Sequence, residues 1–368
     1  MTKVCHLTSA HPSNDPRIFH KQCASLAREG YDTYLVARGE SREEKGVHVI
    51  GVPAEEGSRL QRFLGTTRKV YEAALAVDAD IYEFHDPELL PYGLKLKRRG
   101  KRVIFDSHED YPTQILGKQW IPGPLRKLIS ACYKAYETYV VRRLDAVLFP
   151  CTKNGVNIFD GRARETVIIS NAVMLQEAAE RIPAQQKGRV ICCTGSLTRL
   201  RGITQLIQAA SLADARLILA GNYESAEYRA QLEAMPEYAA VDYRGYVGRE
   251  EIAKIYREAA VGMSTILNVG QYSCLDNFPT KVYEYMAAGL PVVVSDYPFL
   301  ANAARVEGFG IPVDPEDPQA IAAAVRRLLD HPEEADRMGE AGRQAVEQRY
   351  NWGIEEQKLF ALYRKLAK

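Results

Sequence analysis

Short apolar runs alternate with amphipathic stretches along most of the chain. Runs such as KVCHLTS, YDTYLVA and ADIYEFH predict buried strands, and the amphipathic stretches between such runs predict helices. The same rhythm starts again at GRVICCTGS, near residue 189, and continues to the valine run PVVVSD. Because alternating strands and helices are typical of parallel sheets covered on both faces, we predict an α/β chain with two doubly wound, Rossmann-like halves.

The strand pattern is lost between the two halves, in the segment AVMLQEAAERIPAQQKG. We therefore predict a first domain over residues 1–172 and a second over residues 173–351. The final segment, WGIEEQKLFALYRKLAK, predicts an amphipathic helix over 352–368. We expect this helix to pack back on the first domain.

Composition narrows the class of protein. The chain has 368 residues, 46% of them apolar, which suits two globular cores. Its net charge of +1 argues against a general nucleic-acid surface, and its seven cysteines lack metal-ligand spacing. No segment approaches the ~18 apolar residues of a membrane span. We expect a cytoplasmic protein that binds no metal and no nucleic acid; peripheral contact with the inner face of the membrane stays open.

In open α/β sheets, ligands bind beyond the carboxyl ends of the strands, so the loops there are the places to look for chemistry. The stretch DNFPTKVYEYMAAGLPVVVSD predicts a helix that starts at Pro279 and leads into a strand. The free N–H groups of the helix start, together with Lys281, suit a phosphate, and the Glu284 carboxylate suits the hydroxyls of a ribose. The alternative is a solvated Lys281–Glu284 pair on the helix surface.

A second strand–loop–helix turn, TGSLTRLRGITQLIQA, places Arg201 and Gly202 at a predicted helix start. This arrangement also suits a phosphate, although the spacing differs from the GxGxxG pattern of dinucleotide sites. An exposed arginine without a ligand is the alternative.

Polar side chains also follow two strands of the first domain. Asn14, Asp15 and Arg17 follow the first strand and suit recognition of hydroxyls or acids, or else a simple turn. His108 and Glu109 follow the strand RVIFD. His108 is suited to donate a hydrogen bond to a substrate or to titrate near neutral pH; a bond to the local backbone is the alternative.

Two further features have simpler explanations. Asp86 precedes Pro87, which predicts a helix cap. Basic residues gather in KLKRRGKR (95–102) and in a second group that has apolar residues between its members. Either a patch for anionic lipid or a solvated surface explains both groups. That second group consists of Arg126, Lys127, Lys134, Arg142 and Arg143.

Taken together, these motifs resemble those of the retaining glycosyltransferases of family 4, which have the GT-B fold. The motifs, in chain order, are HPSNDPRIFHKQCASLAREGYDTYLVA, FHDPELLPYGL, IFDSHEDYP, TGSLTRLRGITQLIQA and NFPTKVYEYMAAGLPVVVSD. The resemblance, strongest to a bacterial type linked to polysaccharide assembly, implies transfer of a sugar from a nucleotide diphosphate to an acceptor hydroxyl with retained configuration. It implies a nucleotide sugar and an acceptor glycan, glycolipid or small molecule as partners, with no separate cofactor and no metal.

The resemblance also implies roles for individual residues. Asp276 and Glu284 match an acid pair of the family, with Asp276 where Glu is usual. Glu284 would bind the ribose and Asp276 the donor sugar. His108 matches the active-site histidine, so His108 and Asp276 are the catalytic candidates. The other donor candidates are Ser196, where an Arg is usual, Arg201, Tyr246, Val247 and Lys281; the acceptor candidates are Asn14, Asp15, Arg17 and Glu109.

Two other functions stay open for the same fold. A catalytically silent nucleotide-sugar binding or scaffold protein would account for Ser196 and Asp276, where the chain departs from the family pattern. A GT-B epimerase or phosphorylase is the other, although no lysine stands out as a pyridoxal-phosphate site.

Overall fold

A computed structural model describes residues 1–53, 59–118, 121–269 and 271–368, with the backbone alone for 59–64. The chain divides into two compact units. Unit 1 comprises residues 1–171 and 353–368, and unit 2 comprises residues 172–352. These limits lie within one residue of those predicted.

Unit 1 is built on an eight-stranded sheet in the order β3-β4-β2-β1-β5-β6-β7-β8. Its pairs are parallel, except that β3 runs antiparallel to β4. The strands are β1 (Lys3–Pro12), β2 (Asp32–Arg38), β3 (Arg42–Glu44), β4 (Val47–Val52), β5 (Ile81–Phe84), β6 (Arg102–Asp106), β7 (Ala146–Phe149) and β8 (Thr166–Ile168).

The helices of unit 1 connect successive strands. A π-helical segment, Pro16–Cys23, leads into the first α-helix, and it begins there because the Asp15 side chain accepts hydrogen bonds from the amides of Arg17 and Ile18. The helices are α1 (Ala24–Arg28), α2 (Arg59–Val77), α3 (Leu90–Arg98), α4 (Tyr111–Gly117) and α5 (Gly123–Val141).

Unit 2 is built on a six-stranded parallel sheet in the order β11-β10-β9-β12-β13-β14. The strands are β9 (Val190–Thr194), β10 (Arg216–Ala220), β11 (Val241–Gly245), β12 (Val261–Ser264), β13 (Val292–Ser295) and β14 (Gly310–Val313). The helices are α6 (Ile203–Leu212), α7 (Ala226–Glu233), α8 (Arg249–Glu258), α9 (Thr280–Ala287), α10 (Pro298–Glu307), α11 (Pro318–Asp330) and α12 (Pro332–Gln348).

Each face of the unit 2 sheet packs against its own layer of helices. In β9, Cys192 belongs to the core that α8 and α9 cover, whereas Ile191 and Cys193 belong to the core that α6 and α11 cover. Successive residues of a strand point to opposite faces, so this apolar run is buried on both sides. The predicted doubly wound architecture is confirmed.

The last helix, α13 (Trp352–Leu366), belongs almost entirely to unit 1. Its Glu356 accepts a hydrogen bond from Ser25 of α1 at 2.7 Å, and its Tyr363 donates one to Glu83 of β5 at 2.7 Å. The tail therefore packs on the first domain, as its amphipathic pattern suggested. Among the described helices, none combines the length and the apolar character that crossing a bilayer requires.

Candidate functional site

The loop after β9 in unit 2 has two glycines in a backbone conformation that other residues rarely adopt. Gly195 has a φ of +99° and Gly202 a φ of +68°, in the left-handed region that favours glycine. A Cβ atom on Gly202 would overlap the carbonyl oxygen of Thr265. Between these glycines, the half-buried Arg201 places its guanidinium beside Gly195. Exposed backbone and a cation thus meet at the carboxyl end of a central strand, as the phosphate prediction requires.

Two hydroxyls at the carboxyl end of the neighbouring strand β12 have no hydrogen-bond partner in the part of the chain that the structure describes. The Ser264 Oγ and Thr265 Oγ1 atoms are buried, and they neither donate nor accept a hydrogen bond among the described residues. Thr265 is the residue that the backbone of Gly202 approaches. Because buried polar atoms are nearly always satisfied, these hydroxyls are available to a polar ligand or a water at this edge.

Glu284, on α9, is held at the same edge of the sheet. Its Oε2 accepts a hydrogen bond from the Tyr256 hydroxyl at 2.7 Å, and its Oε1 lies 2.8 Å from Nη1 of Arg249. The Tyr256 oxygen is also 3.0 Å from Oγ1 of Thr194, the last residue of β9. This chain of contacts fixes the carboxylate, while each carboxylate oxygen keeps a second lone pair for a ligand hydroxyl.

Sequence reasoning missed Tyr256 and Arg249, which both lie on α8. Burial, and then the charge of Glu284, raise the pKa of Tyr256 well above its usual value, so its hydroxyl remains a donor. Arg249, Tyr256 and Glu284 line a small pocket together with Glu177 and Ile252. No spacing in the sequence could have shown this, because the three residues meet only when α8 packs beside α9.

The side chain of Lys281 points into the interior of unit 2. Its side chain is 6% exposed, and its Nζ donates a hydrogen bond to Sγ of Cys193 at 3.2 Å. Glu284 pairs with Arg249 instead, so the alternative of a solvated Lys281–Glu284 pair is wrong. The role of Lys281 at a phosphate stays a prediction.

The remaining donor candidates differ in exposure. Asp276 is half-buried, Ser196 is exposed, and Tyr246 is 80% exposed. Val247 packs against the core between α8 and α9. Their contacts to a donor stay predictions.

In unit 1, His108 belongs to a buried cluster at the carboxyl end of β6. Its Nε2 is 3.3 Å from Oδ2 of Asp106 and 3.3 Å from Nδ1 of His85. Burial alone would raise the pKa of Asp106, but the charges of Arg17 and His108 hold it well below its usual value. The alternative of a bond to the local backbone is not what the structure shows, because His108 is positioned by side chains.

Arg17 is buried in unit 1. Its guanidinium donates to both carboxylate oxygens of Asp106, at 2.8 and 2.7 Å, and its contact to an acceptor stays a prediction. Its Nη1 donates to the carbonyl of Ile169 at 2.9 Å and to Oδ1 of Asn171 at 2.8 Å. These bonds direct the guanidinium into unit 1, where it neutralises a buried acid.

The other acceptor candidates lie nearer the surface. Asn14 and Glu109 are exposed, and Glu109 bonds to Gln114. Asp15 is half-buried; besides capping the π-helical segment, it lies 3.4 Å from Nδ1 of His11. Their contacts to an acceptor stay predictions.

His11, near the end of β1 and four residues before Asp15, was missed. Its ring centroid lies 4.7 Å from that of His108, and its Nε2 is 3.5 Å from Oδ1 of Asp86. Hydrogen bonding to Asp15, with Asp86 adding to it, raises the pKa of His11. Burial alone would raise the pKa of Asp15, but bonds from His11 and the Ile18 amide lower it to about 2. A cation is therefore favoured beside His108.

Asp86 is not the cap that Pro87 suggested. Its carboxylate makes no bond to the helix start and instead accepts hydrogen bonds from the end of β1. The donors to its Oδ2 are the hydroxyls of Thr8 and Ser9, at 2.8 and 3.3 Å, and the amides of Ser9 and Ala10, at 2.6 and 3.1 Å. Asp86 therefore fixes the end of β1, which carries His11.

Behind His108, a buried chain of polar side chains crosses the sheet to α13. His85 Nε2 is 3.1 Å from His6 Nδ1, and His6 Nε2 is 3.1 Å from the Tyr363 hydroxyl. The two triads His6–Glu83–His85 and His85–Asp106–His108 each hold ligand atoms close enough for a metal ion. They share His85, and their members already bond to one another, so we assign no ion to them.

The chain matches two family models. "Glycosyltransferase Family 4" matches residues 17–177, and "Glycosyl transferases group 1" matches residues 176–345. Together they cover most of both units.

Two curated relatives are partial matches. A D-inositol 3-phosphate glycosyltransferase of Corynebacterium urealyticum is 32% identical over 191 residues, 48% of this chain and 43% of that protein. An uncharacterized glycosyltransferase of Methanocaldococcus jannaschii is 29% identical over 176 residues, 46% of this chain and 43% of that protein. The matched region thus spans less than half the length of either relative.

Solved structures match the whole fold. Sucrose-phosphate synthase from Thermosynechococcus elongatus has a TM-score of 0.76 at 19% identity, covering 100% of this chain and 99% of that one. HepE from Anabaena in complex with UDP has a TM-score of 0.72 at 15% identity, covering 99% and 100%. At these identities the likeness shows the fold alone. That fold, GT-B, is the predicted one.

Proposed function

Since the chain belongs to the GT-B glycosyltransferases, we propose that it transfers a sugar from a nucleotide-diphosphate donor to an acceptor hydroxyl with retained configuration. The observation that carries the proposal is the edge of the unit 2 sheet. There the glycine loop with Arg201 directly follows β9. The Glu284 carboxylate is held by Arg249 and by Tyr256, whose hydroxyl also contacts Thr194 at the end of β9. A cation with free backbone groups suits a diphosphate, and a carboxylate suits the two hydroxyls of a ribose.

The roles follow from these chemistries. Glu284 holds the ribose, and Arg201 with the start of α6 and α9 compensates the charge that grows on the leaving diphosphate. The bond between the sugar and the phosphate breaks, a bond from the sugar to the acceptor oxygen forms, and the acceptor proton passes to the leaving phosphate. No enzyme nucleophile is needed on this front-face course.

Unit 1 supplies the acceptor side of the reaction in this proposal. The loop with Asn14 and Asp15, the exposed Glu109, and the pair His11–His108 present donors and acceptors at the carboxyl edge of its sheet. Assembly of a cell-surface polysaccharide or glycolipid at the inner face of the membrane is the process we assign to the enzyme.

Hydrolysis of a nucleotide sugar without an acceptor tests the proposal, because water replaces the unknown acceptor. UDP-, GDP- and ADP-sugars are first screened by thermal shift, and UDP-sugars are tried first because HepE is seen with UDP. The bound donor is then followed by proton NMR, which shows the first anomer released. We expect the anomer of the donor, and slower release by Glu284→Gln. Inversion refutes the retaining course, whereas binding without hydrolysis or transfer identifies a silent binding protein.

A further inference from the structure

Five buried side chains of unit 1, which we call the polar row, are joined end to end by four contacts. The Tyr363 hydroxyl lies 2.7 Å from Oε2 of Glu83 and 3.1 Å from Nε2 of His6. Nδ1 of His6 lies 3.1 Å from Nε2 of His85, and Nδ1 of His85 lies 3.2 Å from Oδ2 of Asp106. At these distances each pair of atoms needs one proton between them, because two lone pairs repel each other.

The polar row has too few protons if Glu83 is ionised. The Tyr363 hydroxyl then donates to Glu83, and neutral His6 must use its one proton to donate to Tyr363. The contact between the two histidines takes the one proton of neutral His85. Asp106 supplies none, because the guanidinium bonded to both of its oxygens keeps it ionised. A bare nitrogen of His85 is left facing this carboxylate at 3.2 Å.

One proton on Glu83 removes this conflict. A protonated carboxyl donates to the Tyr363 hydroxyl, and the two bonds that follow then reverse. Tyr363 donates to Nε2 of His6, which donates through Nδ1 to His85. His85 in turn donates through Nδ1 to Asp106. Every contact is then satisfied while both histidines stay neutral.

The surroundings of Glu83 favour the neutral form. Its Oε1 accepts no hydrogen bond among the described residues; it lies 3.8 Å from Nδ1 of His6 and 3.9 Å from Nε2 of His85, beyond hydrogen-bond reach. A buried oxygen without a donor costs more on a carboxylate than on a neutral carboxyl. Burial, and next the charge of Asp106, raise the pKa of Glu83 well above its usual value, whereas burial lowers the pKa of both histidines.

Two groups act on Glu83 in the opposite direction. Tyr363 and Arg17 lower its pKa, but more weakly than burial and Asp106 raise it. Arg17 is bonded to both oxygens of Asp106 and so neutralises that acid. The titratable or charged side chains that interact with Glu83 are Tyr363 of α13, His6 of β1, Asp106 of β6, Arg17 and Cys23 of the π-helical segment, and His85 directly after β5.

The state of Glu83 decides which side chain holds His108. Nε2 of His108 lies 3.3 Å from Oδ2 of Asp106 and 3.3 Å from Nδ1 of His85. While Nδ1 of His85 carries a proton it cannot accept one, so a proton on Nε2 of His108 is donated to Asp106. If Glu83 loses its proton, that nitrogen of His85 becomes bare and His108 donates to it instead.

We propose that Glu83 is protonated at neutral pH and that, through the polar row, it is a positioning residue for His108. Loss of its proton moves the hydrogen bond of His108 from Asp106 to His85. The consequence for turnover rests on the function proposed above, whereas the proton on Glu83 stands on the contacts of unit 1 alone. The last helix, which carries Tyr363, thereby takes part in holding a candidate catalytic residue.

Infrared difference spectroscopy of the free protein tests for the proton directly, because a protonated carboxyl absorbs at a frequency where carboxylates do not. At pH 7 we expect such a band in the wild type and in the control Glu72→Gln, which removes an exposed glutamate of unit 1. Glu83→Gln should lack this band. Identical spectra for the wild type and Glu83→Gln in this region overturn the proposal. So does one equivalent of a metal ion bound to the polar row, since the ion would supply the missing charge.

Nitrogen-15 NMR of the histidines tests the direction of the bonds and needs no substitution. At pH 7 we expect His6 and His85 to be neutral, each with its proton on Nδ1. A proton on Nε2 of both rings, or a cationic ring, overturns the proposal. As the pH is raised, the infrared band and these two tautomers should persist or be lost together. In Glu83→Gln the amide donates to Tyr363 at every pH, so the tautomers should not change.

The pH profile of turnover tests whether Glu83 acts on His108. In the pH range where the infrared band disappears, kcat for donor hydrolysis by the wild type should fall roughly tenfold at constant KM, because His108 is displaced. Glu83→Gln should keep its kcat through this range, and Glu72→Gln should follow the wild type. Equal profiles for the wild type and Glu83→Gln across this range overturn the positioning role. If no donor is turned over, the proposed function fails, and the spectra still decide the state of Glu83.

Discussion

Replacing Glu284 with Gln separates the binding of a ribose from the stability of unit 2. Arg249 can only donate hydrogen bonds, so the Gln oxygen must face Arg249 and the Gln NH2 group must face Tyr256. The Tyr256 hydroxyl can then accept from the amide and donate to Thr194, 3.0 Å away. The local network survives with one bond reversed.

The magnitudes of the two effects differ. The pair lost with Arg249 involves a guanidinium that is 59% exposed, so it contributes at most about 1 kcal/mol. For a unit of this size that lowers the melting temperature by about 2–4 °C. A hydroxyl bond to a carboxylate exceeds one to an amide by about 1–1.5 kcal/mol. Two ribose hydroxyls then give about 2–3 kcal/mol, or about 30- to 150-fold in affinity.

Calorimetry with two ligands measures the second effect. The ligands are the nucleoside diphosphate found in the thermal-shift screen and its 2′,3′-dideoxy form, which lacks both hydroxyls. We expect Glu284→Gln to weaken the first by the stated factor and to leave the second unchanged. The four measurements form a thermodynamic cycle in which a change at the base or the phosphates cancels.

Equal losses for the two ligands would refute the reasoning, because the dideoxy ligand has no hydroxyl for Glu284 to hold. Unchanged affinity for both would remove Glu284 from the nucleotide site altogether. In that case Arg249 and Tyr256 would hold Glu284 for stability alone.

Three further outcomes are expected. Arg201→Ala should weaken a nucleoside diphosphate about ten- to hundredfold and the free nucleoside hardly at all, by calorimetry at fixed salt; equal losses would contradict a phosphate role. The pKa of His11, followed by NMR, should lie above about 6.5 and fall in Asp15→Asn, which keeps a helix cap. Since the raised pKa of His11 stabilises the fold at low pH, the stability difference between wild type and Asp15→Asn should shrink as pH rises through the pKa of His11 in the folded protein; a constant difference would contradict it. Tyr363→Phe should cost about 1–3 kcal/mol in urea unfolding, because Glu83 loses its 2.7 Å donor; no loss would mean the bond contributes nothing.

The strands could be predicted because burial on both faces gives a continuous apolar run. β9, β12 and β13 all lie within runs that the sequence marks clearly. The apolar pattern does not predict the segment with β3, β4 and α2, since the edge strand β3 is short and half-buried and its pattern is weak.

The local geometry of the candidate site was predictable only where it depends on neighbours in sequence. The glycines around Arg201 mark a tight loop, because their backbone conformations exclude other residues. The partners of Asp86 and Arg17, the end of β1 and Asp106, could not be predicted because they are far away in sequence. A cap beside proline and an arginine in a polar loop have the same local pattern whether they face solvent or the interior.

The discontinuity of unit 1 has a consequence for how the protein is made. Residues 353–368 complete unit 1 but are synthesised only after the whole of unit 2. While the nascent chain is still growing, His6 and Glu83 are present on their strands without the Tyr363 hydroxyl that bonds to both. Unit 2 is contiguous and can close first, so the half of the protein that starts earliest on the ribosome finishes last.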